Sequence, residues 1–388
     1  MPKKSWTLID TSLDTYDFDV AVAPEDVGGT AKGYEIEGAV LQGGLRDNCE
    51  TVEINNGTLK FIVLPNRGMG IWKAWHGKTQ LGWNSPVKGP VHPSFVNLGE
   101  PSGLGWLDGF DELLVRCGLH SNGAPDFNDK GILTYPLHGR IANLPAHKLD
   151  LSVDGDTGEI KLVGVVEENR FHFQKLRLTS TIRTKVGEPG FRISDEITNL
   201  SGAPGEAQLL YHVNFGPPLL DPGAKLVAPV KTVVPRNEHA ASGIAQWDSY
   251  GNEMSGAKEQ VYFLELLADA TNLTQVLLKN AHSTQGVSLK FYKKQLPWFT
   301  QWKNTPTAQD GYVTGLEPGT NFPNPRSYEG TQSRVLKLKP GETVKFELGV
   351  EFHADAAGVK TAEAAIAKIQ GDTKPKVFDT PQDGWCAT

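Results

Sequence analysis

Between Ala146 and about Ser201 apolar side chains return at every second position, and short polar turns interrupt them. Leu149, Leu151 and Val153 lead into the turn Asp154–Gly158, and Ile160, Leu162 and Val165 lead out of it. Leu176, Leu178 and Ile182 follow, then Phe191, Ile193 and Ile197, which end at Asn199-Leu200-Ser201. A period of two puts successive side chains on opposite faces of a strand, so this stretch reads as strands joined by short turns. Antiparallel meanders of this kind build a sandwich or barrel rather than an α/β fold.

The same pattern recurs along the chain. Val52 and Ile54 alternate before Asn56-Gly57, the strongest short hairpin signal, and Leu59, Phe61 and Val63 alternate after it. Further strand groups fall at Gln260–Lys279, Gly286–Gln295 and Thr343–Phe352, the last after the turn Pro340-Gly341. His172 lies within Phe171-His172-Phe173 and reads as a sheet residue. One clear helical stripe occurs at Ala356–Gln370, where Val359, Ala362, Ile366 and Ile369 recur at three and four, with Gly371 as a stop. Glycine and proline are scattered as turn punctuation, and no fixed-period repeat is present. The expectation is an all-β chain: one antiparallel β-sandwich domain over 1–388. Residues 1–40 form an N-terminal extension, and a tail over 355–388 packs on the domain.

Charge and composition narrow the function classes. A net charge of −7 and pI of about 5.8, with no Lys/Arg-rich run, argue against a nucleic-acid partner. No apolar run reaches the roughly 18 residues that a membrane helix needs, and no apolar segment follows the two N-terminal lysines to make a signal peptide. Cys49, Cys117 and Cys386 have no CxxC spacing, which fits a reducing compartment and predicts a cytoplasmic protein.

The stretch richest in chemistry is GYVTGLEPGTNFPNPR, Gly311–Arg326. An apolar run delivers Glu317, and Pro318, Gly319, Pro323 and Pro325 then forbid regular structure, so the acid is expected where a strand ends in a stiff loop. A lone acid at a turn is ordinarily a surface charge; two histidines set this one apart. His138 lies in LHGR, beside a glycine that permits close ligand approach. His212 and Asn214 lie two apart in YHVN and so share one strand face. In GLGWLDGFDELLVRCG, Asp108, Asp111 and Glu112 accompany Trp106 and Phe110. This reads either as a sugar-facing wall or as a short surface helix with Asp111 and Glu112 outward. Arg67, between strand end and glycines, reads either as an anion or hydroxyl ligand or as a solvated turn charge. Residues 77–100 read as a long irregular excursion, and His120 as exposed in a polar loop.

LPNRGMG (64–70), LHGRIANLPA (137–146), LLYHVNFG (209–216), QWK (301–303) and GLEPGTNFP (315–323), in that order, resemble the galactose-mutarotase-like superfamily, the aldose 1-epimerases, and most nearly its DUF4432 branch. The likeness spans roughly Gly43 to His353. It implies a β-supersandwich, two large curved antiparallel sheets with a few short helices, and a sugar cleft on the concave face. It also implies that Glu317 is the base, that His212 is the acid reaching the ring oxygen, and that His138 is a second histidine beside it. Arg67, Arg140, Asn214, Gln301, Lys303, Asn321 and Asp108 are the expected substrate contacts, with Trp302 directed into the core. The chain departs from the best-studied mutarotases in the context of its glutamate and in lacking an evident substrate-gripping aspartate.

Anomer interconversion needs a base for the anomeric hydroxyl and an acid for the ring oxygen, which one carboxylate and one imidazole supply without cofactor or metal. The expected partner is a free sugar, acted on by a monomer or homodimer. Three rivals use the same residues differently. A metal-dependent sugar isomerase would take His138, His212 and Glu317 as ligands. A carbohydrate-binding protein would need no acid and base together. A retaining glycosidase would need a second carboxylate, for which Asp108 or Asp111 is the candidate.

Overall fold

The computed structural model describes residues 2–387. Two large sheets, of ten and fourteen strands, carry the fold. The meander read from the sequence forms consecutive neighbours in the ten-stranded sheet: Lys148–Asp154, Glu159–Asn169, Lys175–Lys185 and Gly190–Asn199, all antiparallel. Their burial alternates residue by residue, as a sheet with one wet face requires. The Asn56-Gly57 hairpin joins Glu50–Asn55 to Leu59–Leu64 in the other sheet. The strand Lys3–Asp10 belongs to the ten-stranded sheet, and Ala21–Val22 and Glu35–Val40 to the fourteen-stranded one.

Between the sheets lies one large apolar cluster that includes Leu149, Leu162, Leu178, Ile193, Tyr211 and Phe299. Each such side chain contributes about 1.5–3 kcal/mol by leaving water. A buried ion pair crosses this core: Arg116 Nε lies 2.5 Å from Asp195 Oδ2, which also accepts from Tyr211 Oη at 2.8 Å. The helix Ala356–Gln370 forms as expected, capped by Asp355 and stopped at Gly371, with Val359, Ala362 and Ile366 buried.

In the fourteen-stranded sheet the strands Trp298–Asn304, Val313–Gly319, Gly205–Phe215 and Leu114–Leu119 are successive neighbours. Here alternation disappears: Val313–Gly319 and Leu114–Leu119 are buried at every residue. One face meets the main core. The other meets a second cluster that includes Trp83, Trp106, Phe110, Val115, Cys117, Leu210 and Val313. Irregular chain thus covers this outer face, and the candidate site lies in that cover.

Three local expectations fail. The segment around Trp106 is a 3₁₀ turn, Gly105–Gly109, followed by a strand from Leu114; Asp111 and Glu112 are 4% and 1% exposed rather than outward on a helix. Partners permit that burial, since Trp72 Nε1 donates to Asp111 at 2.6 Å and Glu112 pairs with Arg67. His172 sits not in the sheet but at the tip of a hairpin, with φ 67°, between exposed Phe171 and Phe173. His120 is half-buried instead of exposed, and its carbonyl accepts from Arg326 Nε at 2.5 Å.

Candidate active site

The strand parity of Val313–Gly319 decides which side chains reach the outer face. Val313, Gly315 and Glu317 point outward together, while Leu316 points into the inter-sheet core. Glu317 is 2% exposed and lies within the strand, two residues before its end. On the neighbouring strand His212 takes the same face, and its Nε2 stands 3.1 Å from Glu317 Oε1. That contact is not aligned as a hydrogen bond, and Oε1 has no other partner. Gly315 leaves the space: a Cβ there would lie 2.5 Å from Glu317 Oε1 and 2.8 Å from His212 Cε1.

His212 Nδ1 lies 2.6 Å from Asn214 Oδ1, while Asn214 Nδ2 donates to the Glu112 carbonyl at 3.0 Å. An amide held that way can only accept at Oδ1, so the proton of a neutral His212 is on Nδ1 and Nε2 carries the lone pair. His138 Nδ1 likewise donates to the Asn122 carbonyl at 2.9 Å, leaving Nε2 as an acceptor. The two imidazole centroids are 5.3 Å apart. His138 is held at φ 56°, and Gly139 packs on the backbones of Gly118 and Ser121. The glycine beside His138 therefore serves close backbone packing, not ligand approach.

Burial dominates the electrostatics. It raises the Glu317 carboxyl well above the usual range, helped by the charge of Glu259. It holds His212 well below its ordinary value, with His138 acting in the same direction, and lowers His138 to about 4. Both directions favour a neutral imidazole beside a protonated carboxyl, a pair with one proton in all.

These three residues line a pocket of about 320 Å³. Its walls are aromatic: Trp106 packs 4.6 Å from His138, Phe110 lies 5.2 Å from His212 edge to face, and Trp302 lies 5.5 Å from His212. At the mouth Arg236 and Glu259 pair at 3.5 Å, and Trp302 Nε1 donates to Glu259 at 2.7 Å. Leu104 and Leu107 form an exposed apolar rim. Among the described residues no group of three His, Cys, Asp or Glu side chains is arranged to hold a metal ion.

The expected substrate contacts fall elsewhere. Arg67 is neither a ligand nor a solvated charge: it is 1% exposed, ion-paired with Glu112 at 2.7 Å, and donates to the Gly109 carbonyl at 2.9 Å and to Asn143 Oδ1. Gln301 and Lys303 point to the opposite face of their strand. Gln301 donates to Tyr250 Oη at 2.8 Å, and Lys303 to the Gln246 and Ser249 carbonyls at 2.9 and 2.7 Å. Trp302, expected in the core, faces the pocket instead, beside Thr300, which pairs with Glu317 across the strands. Asn214 stands behind His212. Asn321 exchanges amide hydrogen bonds with Asn122, whose carbonyl holds His138. Asp108, exposed, and Asp111, buried, both lie outside the pocket lining, and Arg140 opens on a different cavity. Arg236, Glu259 and Thr300 were not legible, since no motif marks them and only strand register brings them to Glu317.

A family model described as "Domain of unknown function (DUF4432)" matches residues 46–352. A Klebsiella pneumoniae protein with the provisional name aldose 1-epimerase has a crystal structure that superposes with TM-score 0.94, at 35% identity over 98% of this chain and 99% of that one. A galactose mutarotase-like protein from Clostridium acetobutylicum gives TM-score 0.55 at 14% identity, over 82% of this chain and 98% of that one. A galactose 1-epimerase from Lactobacillus acidophilus gives 0.53 at 13%, with the same coverage, so both show likeness of fold. No curated protein matches the sequence.

Proposed function

The chain belongs to the DUF4432 family, and from that premise we propose that it interconverts the anomers of a free sugar, as an aldose 1-epimerase. The observation that carries this reading is the buried Glu317–His212 contact of 3.1 Å within an aromatic-walled pocket. The galactose 1-epimerase and mutarotase-like neighbours, which share the fold, are consistent with it.

O1 and O5 of an aldose are bonded to the same carbon, so two groups a few ångström apart can address both. In the charge-separated form of the pair, Glu317 takes the O1 proton while His212 Nε2–H gives its proton to O5. The C1–O5 bond breaks and the free aldehyde forms, leaving a neutral acid and a neutral imidazole. After C1 rotates, O5 attacks it; His212 recovers the O5 proton and Glu317 returns one to O1. The pair begins and ends with one proton. Burial favours the neutral distribution, and the active distribution differs only by which of the two groups holds that proton. His138 Nε2 is placed as an additional acceptor for a sugar hydroxyl. Trp106, Phe110 and Trp302 offer faces to the C–H side of a pyranose ring.

Asn214 and Asn122 act as positioning residues, since each fixes a tautomer. The three cysteines are unpaired and buried, which fits a reducing compartment such as the cytoplasm. Mutarotation of freshly dissolved α-anomers, followed by polarimetry across hexoses, pentoses and deoxy sugars, tests the reading. At least one sugar must equilibrate faster with protein than in buffer; uniform equality across the panel would reject it.

A further inference from the structure

A second cavity, of about 530 Å³, lies on the other side of the loops that hold His138. Three residues of its lining each hold a polar atom that is buried and, among the described residues, without a hydrogen-bond partner: Glu168 Oε1, Ser121 Oγ and His120 Nε2. Glu168 and Ser121 are 5% and 2% exposed. Glu168 is held in place by its other oxygen, which accepts from the Leu119 amide at 2.7 Å, so Oε1 is fixed but unspent. A buried polar atom without a partner is costly, and three among the lining residues of one cavity are seldom left so. Ordered water satisfies such atoms in small voids. This cavity is within the size range of ligand sites.

The rim has a different character. Arg140 and Arg170 are exposed there, and the Arg170 guanidinium stacks 4.3 Å from the Phe173 ring. Guanidinium groups recognise phosphate and carboxylate through paired N–H donors. The lining, with a carboxyl, a hydroxyl and an imidazole nitrogen, suits hydroxyl groups, and Phe173 suits the apolar face of a ring.

We propose that this cavity is a second ligand site, for a small polyhydroxylated anion whose charged group meets Arg140 and Arg170 and whose hydroxyls meet Glu168, Ser121 and His120. A phosphorylated sugar and a sugar carboxylate share that chemistry. The site shares no side chain with the Glu317 pocket, so it stands or falls independently of the mutarotase reading.

Isothermal titration calorimetry on the full chain separates the outcomes. Glucose 6-phosphate, glucuronate, glucose and inorganic phosphate are titrated in turn. At least one of the two anionic sugars binds more tightly than both glucose and phosphate, and which one does so identifies the charged group. Arg140→Gln with Arg170→Gln, both at exposed positions, weakens that binding at least about tenfold. Ser121→Ala, which removes one buried hydroxyl, weakens it severalfold. Absence of binding, equal binding of phosphate alone, or binding unchanged in the double arginine variant would each overturn the proposal.

Discussion

At the scale of single residues, the reading rests on Glu317 and His212 and on what lets them touch. Both were visible in the sequence as chemistry without a neighbour, an acid before two breakers and a histidine in an apolar strand. Their contact was not, because it depends on two strands separated by about a hundred residues pairing in one register. Gly315 was also illegible as a site residue, yet its missing side chain makes the space. Its backbone is not in the left-handed region, so Gly315→Ala should fold, at a cost of about 1–3 kcal/mol because the methyl overlaps two buried side chains. The added methyl must displace Glu317 or His212. A displacement of about 1 Å costs roughly 10² in rate, so anomer exchange by the folded variant is predicted to fall by that order. Wild-type exchange in this variant would show that the close contact is not needed.

At the scale of elements, parity explains most of what sequence reasoning misassigned. Trp298–Asn304 presents Thr300 and Trp302 to the pocket and Gln301 and Lys303 to the core between sheets. Either parity gives a buried strand here, and apolar content cannot choose between two covered faces. Arg67 was misread for a related reason: its partner Glu112 lies far along the chain on another loop. The pair fastens two irregular segments, and the Glu112 carbonyl then holds Asn214, which holds His212. Removing one partner of a buried ion pair costs about 3–5 kcal/mol. Arg67→Ala should therefore lose stability of that order in urea unfolding, while the folded fraction keeps the wild-type KM. Unchanged stability with a raised KM would make Arg67 a substrate ligand after all.

At the scale of the whole molecule, the β-sandwich was legible because alternation persists wherever one sheet face is wet, as in Glu159–Asn169. It faded in the fourteen-stranded sheet, where irregular chain covers the second face. Burial also gives the molecule an unusual acid–base balance. Four histidines (His120, His138, His212, His353) are held below their ordinary value, and four carboxyls (Glu50, Asp111, Glu168, Glu317) above theirs, all chiefly by burial. Between about pH 5 and 6.5 the folded chain binds fewer protons at those histidines than the unfolded one, so they make stability rise with pH. The carboxyls do the reverse, since the folded chain binds more protons there. The two groups oppose each other across this window. Glu168, pushed up to about 7, is one of the opposing four. Glu168→Gln should tilt the balance, losing stability on acidification by on the order of 1 kcal/mol per pH unit relative to wild type. Urea unfolding at pH 5 and 6.5 measures this; parallel pH dependences would mean that Glu168 is already ionised in the folded protein.

The most direct test of the central claim is anomer exchange by NMR saturation transfer, with wild type and Glu317→Gln compared on the sugar that the polarimetric panel selects. The account predicts exchange between the α and β signals that wild type accelerates and the variant does not, a loss of about 10²–10⁴ in rate, with sugar binding retained. Equal acceleration by both proteins would contradict it, because the carboxylate would then have no part in the proton transfers.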